Sequence, residues 1–100
     1  MAYNHLRESL TKGNLWLYIL SVLEEERAAP KEIKKRVNKR FGFSPATITF
    51  YSVLYRLREE GLVRKSTDEF RADYEITRKG SEELERARGL LQETGRSLGG

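Results

Sequence analysis

Residues 30–62 read PKEIKKRVNKRFGFSPATITFYSVLYRLREEGL, and this stretch determines the predicted fold. Pro30 suits the first turn of a helix, where its missing N–H leaves no hydrogen bond unsatisfied. Ile33, Val37 and Phe41 follow at intervals of four residues, which predicts an amphipathic helix with one narrow apolar stripe. The rest of that helix surface is polar and strongly basic.

A second helix is predicted directly after a short turn. Gly42 suits the left-handed position that closes many helices. Ser44 and Pro45 then form a typical helix start, with a serine N-cap and a proline in the first turn. Gly61 ends the element, so we predict a helix over residues 45–60. Two helices joined by so tight a turn are typical of a helix-turn-helix pair.

The second helix has two unequal faces. At about 100° per residue, one broad apolar arc contains Ile48, Phe50, Tyr51, Leu54, Tyr55 and Leu57. This arc is expected to face the core. Thr49, Ser52 and Arg56 lie on the other side, which we expect to be exposed. Small polar side chains and one arginine allow a close approach to base edges in the major groove of DNA.

Positive charge is concentrated on the first of these helices. Residues 27–41 contain seven Lys or Arg and only one acidic residue, Glu32, whereas the whole 100-residue chain has a net charge of +4. A one-sided charge of this kind favours a polyanionic partner such as double-stranded DNA. A merely solvated helix face is the alternative interpretation.

The remaining pattern predicts two more helices and a hairpin. Residues 62–66 and 71–76 are typical of two strands, which form a wing that spans 62–76. An apolar run, 15–23, predicts a first helix with more apolar surface than one small core can cover. Thr77 starts the last helix. The side chains expected in a dimer interface lie on these two helices: Trp16, Tyr18, Leu84, Ala87 and Leu91.

Together these elements predict a mostly α fold with a small β-hairpin (α+β). The order α-α-α-β-β-α is that of a winged helix-turn-helix. We assign residues 14–94 to this single domain, including a C-terminal dimerisation helix. Residues 1–13 are interpreted as an N-terminal arm or a short extra helix, and residues 95–100 as a frayed tail.

Composition excludes several functions. The chain has no cysteine and a single histidine, His5, so it lacks the residues for a thiolate nucleophile, a histidine metal cluster or a catalytic pair. We therefore expect no enzyme activity, no metal and no cofactor. The longest apolar run, 15–23, is far shorter than the about 20 residues needed to cross a bilayer. A cytoplasmic protein without a membrane partner is predicted.

Two segments carry a family resemblance. Residues 49–63, TFYSVLYRLREEGLV, resemble the T-x-Y-x-x-L-x-x-L-x-x-x-G-L-[VI] signature of PadR-type transcriptional regulators. Residues 74–80, YEITRKG, match the second signature of that family, Y-x-[LI]-T-x-x-G. GNLWLYIL (13–20) and FGFSP (41–45) are similar to archaeal members in particular. The resemblance covers about residues 11–90 in one consistent order.

The resemblance implies a dimeric, DNA-binding, repressor-like protein whose first and last helices form the dimer. The chain departs from the family in two places. Residues 29–31, APK, stand where the family usually has a Gly-Tyr pair. The wing carries four acidic residues: Asp68, Glu69, Asp73 and Glu75. Because the last helix is short, we expect no large effector-binding C-terminal domain.

The predicted function is a sequence-specific, homodimeric DNA-binding regulator, a repressor, with helix 45–60 in the major groove and wing 62–76 on the flanking groove. Thr49, Ser52 and Arg56 are the predicted base-reading residues. The residues predicted to contact the DNA backbone are Lys31, Lys34, Lys35, Ser44, Thr47, Tyr51, Arg64, Lys65 and Arg71.

Two alternatives stay open at this point. One is a winged-helix protein-interaction module, which the acidic wing favours. The other is an architectural DNA-binding protein that does not distinguish sequences. No constellation of residues defines a small-molecule effector.

Overall fold

The computed structural model describes residues 1–67, 70 and 72–99. Within them the chain forms five helices and one two-stranded antiparallel sheet. A short 3-10 turn, Lys12–Asn14, follows the first helix. The elements are α1 (Ala2–Thr11), α2 (Leu15–Glu25), α3 (Pro30–Phe41), α4 (Thr47–Glu59), β1 (Val63–Lys65), β2 (Tyr74–Ile76) and α5 (Arg78–Ser97).

The predicted winged helix-turn-helix and its α+β class are confirmed. The order from α2 to α5 is the predicted α-α-α-β-β-α. Residues 2–11 form a helix, which is the second of the two interpretations of the N-terminal segment. At the other end, α5 continues to Ser97, so residues 95–97 are helical rather than frayed.

The core lies around α2. Its buried side chains include Ile19, Leu20 and Val22, which are almost completely shielded from solvent. Their partners on the other helices are Ile33, Val37, Phe50, Leu54, Leu57 and Leu84. Leu84 is 3% exposed, so its predicted place in a dimer interface is wrong, because the side chain is already buried in the core of its own chain.

The turn between α3 and α4 begins as predicted and ends differently. Gly42 has φ 76°, and its N–H donates to the carbonyl of Asn38, which closes α3. However, α4 starts at Thr47 with Ala46 at the N-cap position. The predicted Ser44 cap is wrong, because the Ser44 hydroxyl instead accepts a hydrogen bond from Asn38 Nδ2 at 2.6 Å.

The wing is a short hairpin attached to the helical core. Arg64 lies opposite Glu75, and Lys65 lies opposite Tyr74. Both strands are shorter than predicted. Tyr74 also exchanges two backbone hydrogen bonds with Ala28, of 2.8 and 3.1 Å, which fasten β2 to the segment between α2 and α3. The loop residues 68 and 69 lie outside the described residues.

The start of α5 is packed against the end of α4. Thr77 is the N-cap as predicted, and its hydroxyl oxygen accepts from the Gly80 N–H at 3.1 Å. The same hydroxyl donates to the Gly61 carbonyl at 2.6 Å. A Cβ on Gly80 would lie 2.1 Å from the Leu62 carbonyl oxygen, so only glycine fits this contact. The C-terminal end of α4 is therefore held by several polar contacts.

Candidate nucleic-acid interface

Only one stripe of α4 is buried. Phe50, Leu54 and Leu57 enter the core at intervals of four and three residues. Tyr51 is 45% exposed and Tyr55 is 62% exposed, although both were predicted in the buried arc. The prediction of a broad buried arc is wrong because α2 and β1, the main neighbours of α4, cover only one side of it.

Ile48 is the largest departure from the predicted arc. Its side chain is 86% exposed on the first turn of α4. Ser52 lies one turn further along the same face and is also exposed. The outward surface of α4 therefore carries aliphatic, hydroxyl and phenolic groups, and it begins at the N-terminal end of the helix.

The three predicted base-reading residues are all exposed, and their spacing of three and four residues places them on one side of α4. Ser52 lies in the middle of the outward surface. Thr49 borders a cavity of about 240 Å³ together with Lys12 and Pro45. Arg56 borders a second cavity, of about 320 Å³, beside Trp16. Thr49 and Arg56 thus lie on the flank of α4 that faces the start of α2.

Two side-chain hydrogen bonds join α3 to the N-terminal end of α4. Lys34 Nζ donates to the Thr47 hydroxyl at 2.5 Å. Asn38 donates to the Ser44 hydroxyl, as described above. The structure therefore brings together three of the predicted backbone-contacting residues, Lys34, Ser44 and Thr47. No side chain caps α4, so its first N–H groups and their partial positive charge stay available to an anion.

The cations of α3 divide into two groups. On the flank that faces α2, Arg40 pairs with Glu25 at 2.7 Å. Arg36 on the same flank pairs with Glu32 at 3.2 Å and with Glu26 at 3.5 Å. These carboxylates neutralise that flank.

The other group faces α4 or open solvent. Lys31 and Lys35 are exposed and have no carboxylate partner among the described residues, and Lys34 bonds only to Thr47. A free ammonium group attracts phosphate more strongly than one already paired with a carboxylate. Counting charges along the sequence does not separate the two flanks, whereas the position of α2 does.

Several acidic side chains of the wing lie next to basic side chains. Arg64 Nε lies 2.7 Å from Glu75 Oε1 across the hairpin. Arg27 lies 3.9 Å from Asp73. Lys65 is exposed and has no carboxylate partner in the described part of the chain. Arg71, the third predicted wing contact, lies outside the described residues. Within the wing that is described, two acids are thus each next to a cation, which reduces their repulsion of phosphate.

The residues predicted in the dimer interface have different surroundings. Tyr18 packs edge-on against Phe41 and Phe43, with ring centroids 4.8 and 5.0 Å away. Its hydroxyl donates to the Leu10 carbonyl at 2.6 Å, and burial raises the pKa of this phenol above its usual value. Tyr18 therefore has partners in its own chain. Trp16 is half-buried, and its Nε1 donates to Asn14 at 3.3 Å.

The C-terminal half of α5 is more exposed to solvent than its first turns. Ala87 is half-buried, and Leu91 is 46% exposed. Leu90 and Leu98 are exposed as well. On α1, Tyr3 and Leu6 are exposed, and no residue of that helix is buried. The two outermost helices thus carry apolar side chains that this single chain leaves in contact with water.

The described residues meet the requirements neither of a metal site nor of a membrane-spanning helix. No group of three or more His, Cys, Asp or Glu side chains is placed to hold a metal ion there. None of the described helices is both long and apolar enough to cross a membrane.

Solved structures with the same arrangement of elements show which fold this is. A transcriptional regulator from Clostridium thermocellum has a TM-score of 0.78 at 23% identity, with 90% of this chain and 91% of that chain covered. A winged-helix DNA-binding protein from STIV has a TM-score of 0.69 at 18% identity, with 82% and 90% covered. Identities this low show the fold alone: the chain has a winged-helix fold.

Sequence comparison identifies the family. The description "Transcriptional regulator PadR-like family" applies to the family whose model matches residues 19–86. A PadR-like transcriptional regulator from Bacillus cereus is 28% identical, with a TM-score of 0.67 and coverage of 90% of this chain and 95% of that chain. Among curated proteins, no sequence matches the chain significantly.

The chain belongs to the PadR-like family of transcriptional regulators, because the family model matches more than half of its residues. The family resemblance predicted from the two signatures is confirmed. Members of this family are regulators and not enzymes. The narrower similarity to archaeal members stays a prediction.

Proposed function

We propose that the protein is a cytoplasmic, homodimeric repressor that binds specific sites in double-stranded DNA. In this proposal α4 enters the major groove and the wing contacts the flanking groove. The observation that carries it is the corner between α3 and α4. There Lys34 and Thr47 meet beside the uncapped start of α4, next to a broad exposed face of that helix.

The contacts fall into two classes. Phosphates are bound by the α4-facing cations of α3, by the hydroxyls of the turn and by the wing, which fixes the position of α4 without reading sequence. These residues are Lys31, Lys34, Lys35, Ser44, Thr47, Tyr51, Arg64, Lys65 and Arg71. Bases are read by Thr49, Ser52 and Arg56. Because Arg56 leaves α4 on its flank, its long side chain extends past the helix to reach a base edge.

The dimer uses the outer helices. The exposed apolar residues of α1 and α5 support an interface between two copies, because a single chain leaves them in water. In place of Leu84, the proposed interface contains Ala87, Leu91 and Leu90 of α5, together with Trp16 of α2. Two copies related by a two-fold axis would present their α4 helices to half-sites about 34 Å apart.

Fluorescence anisotropy with a labelled random duplex at two salt concentrations tests the DNA binding, and light scattering tests the dimer. We expect a dimer whose affinity falls steeply as salt rises, because bound phosphates release counterions. A folded dimer that binds no duplex at low salt would contradict the proposal. A protein partner would then be the better candidate, since the acidic wing also suits a basic protein surface.

Sequence specificity is tested by selecting a site from a pool of random duplexes. Enrichment of a palindromic sequence that binds more tightly than the random duplex supports a specific regulator. Equal binding to selected and random duplexes would instead indicate a protein that binds DNA without regard to sequence.

A further inference from the structure

An aliphatic side chain occupies the most prominent position on the proposed DNA-binding face. Ile48 is 86% exposed on the first turn of α4. Its neighbours on the same face are Tyr51 and Ser52, three and four residues further along the helix. Lys34 approaches the adjacent residue, Thr47, from α3. The isoleucine thus lies on an exposed face of α4 that it shares with a phenol and a hydroxyl group.

The exposure of one apolar residue is ordinary, but its position here is informative. The first residues of a recognition helix are those that meet base edges in the major groove. Isoleucine is branched at Cβ and keeps nearly one χ1 rotamer in a helix, so little side-chain entropy is lost when it is held against a ligand. Ile48 therefore presents a stiff apolar surface where bases are read.

The major groove offers one apolar feature to such a surface. Thymine carries a 5-methyl group there, whereas cytosine presents an amino group that needs an acceptor. Isoleucine can form a hydrogen bond neither with the amino group of cytosine nor with the O4 acceptor of thymine, so only the methyl group distinguishes the two bases for it. An isoleucine at this position favours thymine because of that methyl group.

We propose that Ile48 packs against the 5-methyl group of a thymine and thereby specifies one A·T pair in each half-site. This inference rests on the proposed DNA-binding function and adds a base identity to it. Ile48 acts beside Thr49, Ser52 and Arg56 as a further residue that determines specificity.

The test begins with the site selected from random duplexes. Each thymine is replaced in turn by deoxyuridine, which lacks only the methyl group, at symmetric positions in both half-sites. For the unaltered protein we expect about a fourfold loss of affinity per half-site at one thymine, from the apolar area of one methyl group. The variant Ile48→Ala should bind the thymine and deoxyuridine duplexes equally.

A matched variant separates the effect of the branched side-chain shape from a general loss of folded structure. Ile48→Val keeps the branched side chain and should still distinguish thymine from deoxyuridine. Because the position is exposed, all three proteins should unfold at nearly the same temperature.

Two results would overturn the inference. The first is an unaltered protein that binds every deoxyuridine duplex as well as the thymine duplex. The second is an Ile48→Ala variant that still distinguishes the two. If no site can be selected, the proposed function as a sequence-specific regulator is wrong, and the inference about Ile48 is wrong with it. Anisotropy with the random duplex then shows whether the protein binds DNA at all.

Discussion

The two ends of α4 differ in how many partners their own chain supplies. At the C-terminal end, the Lys79 ammonium and the Thr77 hydroxyl donate to the carbonyls of Glu60 and Gly61. Gly80 lies so close to Leu62 that no side chain fits. At the N-terminal end no side chain caps the helix, and the Ile48 side chain is exposed to solvent.

This difference separates stability from recognition along one helix. An end that is fully bonded within the chain fixes the direction of the helix, because its polar groups have no alternative partners. An end with open N–H groups and exposed side chains keeps its interactions for a ligand. Substitutions of the residues that hold the C-terminal end should therefore change the free energy of unfolding, whereas substitutions of the exposed side chains should change DNA affinity.

The largest effect is expected for Gly80→Ala. The added methyl group would lie 2.1 Å from the Leu62 carbonyl oxygen and 2.9 Å from Ile76 Cγ1, so the backbone must shift. We expect a loss of about 3 kcal/mol in the free energy of unfolding, measured by urea denaturation.

Gly89→Ala is the matched control on the same helix, since a Cβ there meets nothing within 4 Å. Alanine at an open helix position should stabilise the protein by up to about 1 kcal/mol. If both variants had the same stability, the close packing of α5 against the end of α4 would be wrong.

The next effect concerns sequence reading. Arg56→Ala should cost about 1–3 kcal/mol in binding to the selected site and relax the preference at one base pair. Competition between the selected duplex and single-base variants measures this. A uniform loss across all duplexes would mean that Arg56 contacts phosphate rather than a base.

A smaller change in stability is expected for Thr77→Ala. The variant loses the cap on the Gly80 N–H and the hydrogen bond to the Gly61 carbonyl, which should cost about 1 kcal/mol in unfolding free energy. Thr77→Ser keeps the hydroxyl and serves as the control. A Ser variant as unstable as the Ala variant would assign the effect to lost methyl packing instead.

The smallest effect on affinity is expected for Lys34→Ala, but it has a distinct signature. Loss of one phosphate contact should weaken binding to every duplex and reduce the slope of log affinity against log salt by about 1 per protomer. Arg40→Ala is the comparison, because Arg40 is paired with Glu25 on the opposite flank. Equal changes in slope for the two variants would contradict the division of α3 into two flanks.

Local signals in the sequence predicted the ends of the elements better than their faces. Gly42 and Thr77 have the backbone and capping roles that their residue types suggest. Ser44 has the right chemistry for an N-cap, but its hydroxyl is taken by Asn38, six residues earlier. That competition depends on how α3 and the turn pack together, which no short pattern contains.

Burial was harder to predict than helix formation. Periodicity groups the apolar residues of α4 into one arc, whereas the neighbouring elements cover only the stripe of Phe50, Leu54 and Leu57. Tyr51 and Tyr55 tolerate water because their hydroxyls are polar. The case of Leu84 is the opposite, since it is buried although the pattern predicts a surface position: periodicity on α5 does not indicate which residue faces α2 and which faces solvent.

Amide chemical-shift mapping tests the central claim most directly. The 15N-labelled protein is titrated with a duplex containing the selected site, and the shifts of α3 and α4 are compared residue by residue. We predict large changes at residues 47–52 and 31–35, with much smaller changes at Gly61 and Gly80. Changes confined to the wing and α5, with residues 47–52 unaffected, would contradict the claim that the open end of α4 binds DNA.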